Sequence, residues 1–203
     1  MRVNLFDYGA GNLHSLCKAL AGPGVNVVVE TDPLRATEAD VLVLPGVGAF
    51  GAAADRLAPG RDAMREAIRG GLPVIGICLG MQLLFDESEE GEGAGLGVIA
   101  GRVDRLRAVR VPHIGWNSVE SSRSAGVAIA FPSTVYYANS FACRPTSESV
   151  VEAWTTHEAD RFPAVVRAGS AVGVQFHPEK SSADGVRFLR ALLASAPAWR
   201  RTT

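Results

Sequence analysis

The first eighty residues alternate short apolar runs with helical patterns, and that rhythm leaves few architectures open. Residues 3–6, 25–29, 41–44 and 72–77 are apolar runs of strand length. Between them lie a helical stretch over about 12–20, a turn or helix opening at Asp32-Pro33, and helical stretches that stop at Gly70-Gly71. Asp32 before Pro33 is a good N-cap with proline at the first helical position, and Gly70-Gly71 ahead of Pro73 is a good C-terminal stop. Strand and helix in alternation imply a parallel, doubly wound sheet. From residue 97 the pattern changes to short strand-like runs separated by turns, at 98–99, 103–106, 135–141, 150–154, 164–166 and 172–174. Residues 184–194 then form an amphipathic helix with Val186, Leu189 and Leu193 on one stripe. The expected fold is a three-layer α/β domain spanning residues 1–203. Its doubly wound, mostly parallel sheet gains antiparallel strands in the C-terminal half.

With 203 residues and 47% hydrophobic content, the chain can bury a sizeable core as one domain, and disorder is excluded. A net charge of −1 gives no global attraction to nucleic acid or anionic lipid, and the one late basic pair is Arg200-Arg201. No apolar run approaches the roughly 20 residues that span a bilayer, and the N-terminus reads as a strand without a signal-peptide core. A cytoplasmic protein without membrane contact is expected. Its three cysteines, Cys17, Cys78 and Cys143, are odd in number and scattered, which suits a reducing compartment. Cys17 and Cys143 read as small buried apolar groups. Residues 87–95, acidic and glycine-rich, read as a mobile loop.

The chemistry centres on Gly76-Ile77-Cys78-Leu79-Gly80, where the run 72–77 gives way to a helical pattern through Met81, Leu83, Leu84 and Phe85. A thiol on such a strand-to-helix turn projects from the end of the sheet, beside unpaired amide N–H groups that favour its anion. Downstream, the apolar run 171–176 leads into His177-Pro178-Glu179. Proline biases His177 to an extended conformation, so His177 and Glu179, two apart, can point to one side. Cys78, His177 and Glu179 are therefore a candidate triad of nucleophile, base and orienter. The bland alternative is a core thiol plus a turn after a strand, and spacing alone leaves both open.

Two glycine patterns offer a different chemistry. Gly46-Val47-Gly48-Ala49-Phe50-Gly51 satisfies the dinucleotide-binding string G-x-G-x-x-G, but the next strand leads to Cys78 rather than to an acidic residue for a ribose. Gly9-Ala10-Gly11, with Glu30 downstream, has His14 where the third glycine belongs. The loop Pro45-Gly46-Val47-Gly48 makes better sense as part of an oxyanion hole, with N–H donors from Val47 or Gly48 and from Leu79. The four histidines, His14, His113, His157 and His177, form no close ligand pair, so neither a metal nor a cofactor is expected.

Taken together, Gly76-Ile77-Cys78-Leu79-Gly80-Met81-Gln82 and Gln175-Phe176-His177-Pro178-Glu179-Lys180-Ser181 resemble the two signatures of class I, triad-type glutamine amidotransferases. Four further motifs narrow the resemblance to the glutaminase subunits of imidazole glycerol phosphate synthase. They are Asp7-Tyr8-Gly9-Ala10-Gly11-Asn12-Leu13, Pro45-Gly46-Val47-Gly48-Ala49-Phe50, Gly95-Leu96-Gly97-Val98-Ile99 and Pro112-His113-Ile114-Gly115-Trp116-Asn117. They occur in order along nearly the whole chain.

The resemblance implies that Cys78 attacks the carboxamide of L-glutamine to form a thioester, His177 moves the protons and Glu179 orients His177. It implies oxyanion donors from Gly48 and Leu79, glutamine contacts at Gly48, Gln82, Ser140 and Phe141, and no metal or cofactor. The expected partner is a (β/α)8-barrel cyclase subunit, HisF, in a heterodimer, docked through Asn12, Trp116, Asn117 and Lys180. Ammonia would pass to it to make imidazole glycerol phosphate and AICAR. The sequence departs from the family pattern at Asn139, where a histidine is usual. Two other functions share these residues: a glutaminase serving a synthase that modifies a surface sugar, and a non-catalytic scaffold that only binds the cyclase.

Overall fold

The computed structural model describes residues 1–9, 13–121 and 130–199. Strands β1 (Arg2–Phe6), β2 (Asn26–Glu30), β3 (Val41–Leu44) and β4 (Val74–Ile77) alternate with helices α1 (His14–Leu20), α2 (Pro33–Ala36), α3 (Phe50–Leu57) and α4 (Arg61–Arg69). A short α5 (Leu79–Gln82) follows, then β5 (Glu87–Ser88), β6 (Gly101–Arg105), β7 (His113–Ser118) and β8 (Glu120–Ser121). The chain continues through β9 (Thr134–Asn139), β10 (Phe141–Pro145), β11 (Val151–His157), β12 (Asp160–Ala168) and β13 (Ala171–Val174) to the closing helix α6 (Ser182–Trp199).

The main sheet has eight strands in the order β2-β1-β3-β4-β13-β12-β11-β8. Pairings from β2 through β13 are parallel, and β12, β11 and β8 continue the sheet antiparallel. The expected α/β class, mostly parallel with antiparallel C-terminal strands, is the one observed. β4 and β13, far apart in sequence, lie side by side with Val174 opposite Ile77. Their C-terminal ends therefore bring Cys78 and His177 to the same edge of the sheet.

Period two along the central strands builds the layers. Val41, Val43, Ile75 and Ile77 face a core shared with α1 and α6, through Leu16, Leu20, Leu189 and Leu192. Leu42, Leu44 and Val74 face a second core on the other side, with Phe50 and Leu57 of α3 and Met64 and Ile68 of α4. Asp32 caps α2 as its position suggests, its side chain accepting from the N–H groups of Leu34 and Arg35. Among the described residues, no helix is long and apolar enough to cross a membrane.

Several local expectations differ from what is observed. The helical pattern through Met81 and Phe85 ends at Gln82. Carbonyls of Leu83, Leu84 and Phe85 accept instead from the backbone of residues 96–99, so this fully buried apolar run does not carry the helix onward although its N–H groups still donate to Leu79, Met81 and Gln82. For the same reason Val98 and Ile99 form no strand. Residues 87–95 are bonded into the structure: β5 pairs with β6, and the carboxylates of Glu89 and Glu90 accept from the backbone N–H groups of Arg105 and Phe50. Finally, β7 emerges where only the Pro112 to Asn117 motif had been noted, paired antiparallel with β9. Of the two spare thiols, Cys143 is buried and Cys17 is only partly so.

Candidate active site

Cys78 sits between β4 and α5 with φ 48° and ψ −104°, a left-handed conformation that a non-glycine residue rarely adopts. Its N–H donates to the Val174 carbonyl of β13 at 2.7 Å, and its carbonyl accepts from Gln82 N–H at 3.1 Å. The turn is thus clamped to the neighbouring strand on one side and to its own helix on the other. Strain of this kind persists only where the surroundings over-determine it. A Cβ on Gly80 would collide with the Leu44 backbone, and one on Gly76 with the Gly80 backbone, so both flanking glycines are demanded by the tightness of the turn.

From the end of β13, Gln175 and His177 extend over the same edge. The His177 N–H donates to Tyr136 of β9 at 2.9 Å, and its carbonyl accepts from Ser181 Oγ at 2.6 Å. Ser181 Oγ also accepts from Tyr136 N–H at 2.9 Å, so one buried hydroxyl ties the histidine backbone to β9. His177 Nδ1 lies 2.8 Å from Glu179 Oε1. Burial alone would lower the pKa of this imidazole. Charge and a hydrogen bond at Cys78, then the Glu179 carboxylate, outweigh it and push the pKa up to about 10. The arrangement favours an imidazolium held between the Cys78 sulfur and the Glu179 carboxylate, which can protonate a leaving group. Gly46 fits between them: a Cβ there would stand 2.9 Å from His177 Cε1 and 3.0 Å from Cys78 Cβ.

A cavity of about 160 Å³ opens beside the thiol, lined among others by Gly48, Cys78, Leu79, Gln82, Ser140 and Phe141. These are the expected nucleophile, the expected oxyanion donor Leu79 and all the residues expected to touch glutamine. Val47 does not line it. Gly48 has φ 105°, which only glycine adopts freely, and Leu79 opens α5 with its N–H at the free end of the helix. Gln82 Nε2 donates to the Phe141 carbonyl at 3.2 Å. A larger cleft of about 520 Å³ between Phe131 and Phe188 touches no member of the Cys-His-Glu group.

Four residues at this site escaped assignment from the sequence. Gln175 donates to Cys78 Sγ at 3.5 Å, and Ser181 holds His177; both stood inside the second signature without a role. Gly46 was read only as part of a loop. Glu90 lines the cavity, and nothing in its acidic, glycine-rich stretch distinguished it from its neighbours.

The residues expected at a docking face fall close by. Trp116 is 55% exposed and Ile114, two residues earlier on β7, 63% exposed, while the Trp116 ring meets Tyr136 edge-on at 6.1 Å. Lys180 is exposed immediately after Glu179, and Asn117 is partly buried. Asn12 lies outside the described residues.

Residues 4–194 match the family profile described as glutamine amidotransferase class-I. The chain is 43% identical over 192 residues to imidazole glycerol phosphate synthase subunit HisH of Pyrococcus furiosus, covering 93% of this chain and 96% of that protein. It is 44% identical over 194 residues to the subunit of the same name from Symbiobacterium thermophilum, covering 93% and 91%. Among solved structures, it is similar to a crystal structure of a glutamine amidotransferase, with TM-score 0.74 and 22% identity over 96% of this chain and 98% of that one. PurLQS from Thermotoga maritima aligns with TM-score 0.67 at 19% identity, covering 95% and 97%. The last two speak to the fold.

Proposed function

The chain belongs to the class I glutamine amidotransferase family, in the branch of imidazole glycerol phosphate synthase HisH subunits, and from that premise we propose how its residues release ammonia from glutamine. Its function is that of this branch: a glutaminase subunit acting in histidine biosynthesis. The observation that carries the residue assignment is the meeting of Cys78, on its strained turn, with the 2.8 Å His177–Glu179 pair at the end of the adjacent strand.

In the proposed mechanism, Cys78 Sγ attacks the γ-carboxamide carbon and the carbonyl electrons move onto oxygen. The N–H groups of Leu79 and of the Val47-Gly48 loop receive that oxyanion. His177 gives its proton to the amide nitrogen, the C–N bond breaks and ammonia leaves a γ-glutamyl thioester. Neutral His177 then takes a proton from water, the hydroxide adds to the thioester, and collapse expels the Cys78 thiolate with glutamate. Glu179 stabilises the imidazolium at each stage. Gln82, Ser140 and Phe141 hold the substrate, and the Glu90 carboxylate in the cavity suits its ammonium group.

A subunit of this kind works with a partner that consumes the ammonia. We assign that role to a (β/α)8-barrel cyclase, HisF, in a heterodimer. The exposed Trp116 and Ile114, and Lys180 directly beyond Glu179, support docking at the edge where the triad lies. Ammonia is mostly protonated and non-nucleophilic in neutral water, so delivery within a complex avoids wasting it. A cytoplasmic location follows from this reading and keeps the free cysteines reduced.

The test is glutamate release by the purified protein, alone and with the cyclase, with and without the cyclase's ribotide substrate. Strong stimulation in the complete mixture is expected. Stimulation indifferent to that substrate would point to another acceptor synthase, and no turnover under any condition would leave a scaffold.

A further inference from the structure

Between Asn117 on β7 and the cavity beside Cys78 runs a line of polar groups whose hydrogens can be assigned one by one. Asn117 Oδ1 accepts from Ser118 N–H at 2.8 Å and its Nδ2 donates to the Thr156 carbonyl at 2.9 Å. Backbone groups therefore fix which end of this amide is the donor. The same Nδ2 stands 3.3 Å from His113 Nε2, so that ring nitrogen presents a lone pair and the neutral imidazole carries its proton on Nδ1. At the far end, Asn139 Nδ2 donates to the Phe141 carbonyl at 3.0 Å, which leaves Asn139 Oδ1 as an acceptor.

His113 and Asn139 are directly opposed in the β7–β9 register. His113 Nδ1 and Asn139 Oδ1 are both buried, and neither has a partner at full hydrogen-bond geometry. The two assignments leave over one donor and one acceptor, and these are the two atoms. The ring is held for the purpose, stacked on His157 at 4.1 Å and on Tyr137 at 4.9 Å. Burial, with His157 alongside, lowers the His113 pKa to about 4 against a favourable contact with the Asn139 amide, so the imidazole is neutral at pH 7.

We propose that His113 and Asn139 are positioning residues for glutamine, joined in a one-directional hydrogen-bond chain from Asn117 through His113 and Asn139 to the Phe141 carbonyl. This rests on the glutaminase reading and deepens it. The chain fixes the bend at Ser140 between β9 and β10, which forms one wall of the cavity. The Phe141 carbonyl is also the acceptor for Gln82, whose Nε2 lies 3.5 Å from Gln175 Oε1, and Gln175 in turn donates to Cys78 Sγ. A displaced Phe141 carbonyl would thus be felt both by the substrate and along the amides that reach the thiol.

Two measurements test it on the 203-residue chain. Long-range ¹H–¹⁵N NMR of His113 should show the Nδ1–H tautomer at pH 7 in the parent, and Asn117→Ala, which removes the donor to Nε2, should admit the Nε2–H form. An Nε2–H parent would overturn the proposal, as would an Asn117→Ala protein with an unaltered tautomer. The second measurement compares Cys78 inactivation by a glutamine-analogue electrophile and by iodoacetamide. Asn139→Leu should slow the analogue about tenfold, the scale of one lost buried hydrogen bond, and change iodoacetamide labelling less than about twofold. Asn139→His should restore most of the loss, because imidazole can accept at one nitrogen and donate at the other. Parent-like analogue kinetics in Asn139→Leu, or equal losses with both reagents, would refute the positioning role. A parent that reacts with iodoacetamide but never with the analogue would instead sink the glutaminase reading, while the tautomer would still decide the chain.

Discussion

Gly46→Ala is the smallest change that should separate the proposed catalytic residues without removing any of them. The added Cβ would lie 2.9 Å from His177 Cε1 and 3.0 Å from both Cys78 Cβ and the Ile77 carbonyl oxygen. Ordinary contacts begin about half an ångström further out, so at least one of these groups must yield. Neither His177 nor Cys78 yields easily. His177 is tied through its N–H to Tyr136, through its carbonyl to Ser181 and through Nδ1 to Glu179, while Cys78 is clamped to Val174 and Gln82. Overpacking at such a place costs about 1–3 kcal/mol, and in a chain of this size each kcal/mol lowers Tm by about 2–4 °C. Misplacement of reacting groups by up to about 1 Å can cost about a hundredfold in rate. We expect kcat/KM for glutamate release, measured in the cyclase complex, to fall by about ten- to a hundredfold. A thermal melt on the same samples should show a protein that is still folded at assay temperature. Turnover within about twofold of the parent would refute the claim that the thiol–imidazole geometry is set by the absence of a side chain at residue 46.

Cys78→Ala should abolish glutamine hydrolysis while leaving cyclase binding intact; residual turnover comparable to the parent would remove Cys78 from the mechanism. The same variant should lower the His177 pKa, because the contribution of Cys78 is the leading one opposing burial, and an NMR titration that still found it near 10 would contradict that assignment. The pH profile has a definite sign: a raised pKa keeps His177 protonated below about 10, so thioester formation should hold from pH 7 to 9 and fall as pH passes that value. A decline already complete by pH 8 in single-turnover acylation would show that the imidazolium is not the proton donor. Lys180→Ala should weaken both cyclase affinity and glutaminase stimulation, and if neither changes the exposed lysine has no part in docking.

The sequence made the parallel half legible because its central strands, 41–44 and 74–77, are apolar runs enclosed on both faces by helices. It was less clear where burial came from all sides without regular pairing. Leu83, Leu84 and Phe85 have helical spacing, yet their carbonyls are taken by residues 96–99, a tertiary fact that no local pattern encodes. β7 was missed for a related reason. His113 to Ser118 alternates, but its inward positions are His113, Gly115 and Asn117 and its outward ones include Ile114 and Trp116, so the apolar face is the wet one. A strand that turns aromatic and branched side chains outward makes sense beside a partner, and its polarity only becomes interpretable with the partner in mind. Cys78, His177 and Glu179 were legible as separate strand-end residues. That they share one edge depends on β4 and β13 being neighbours across almost a hundred residues of chain, which the rhythm of the sequence does not state.

The glycine string at 46–51 shows how physical detail separates two chemistries that a pattern cannot. In a dinucleotide site each glycine serves the approach of a pyrophosphate to a helix N-terminus. In this chain the N-terminus of α3 is already occupied: Phe50 N–H donates to Glu90, a carboxylate where a phosphate would need to sit. Gly46 is required by the side chains of Cys78 and His177, Gly48 by a positive φ beside the cavity, and Gly51 by the close pass of the Glu92 backbone. None of these demands concerns a phosphate. An anion that displaced Glu90 would also disturb the wall of the cavity beside Cys78, because Glu90 both accepts from the first N–H of α3 and lines that cavity. One carboxylate, two close approaches and one positive φ therefore set this loop against a nucleotide, which agrees with the proposed amide substrate.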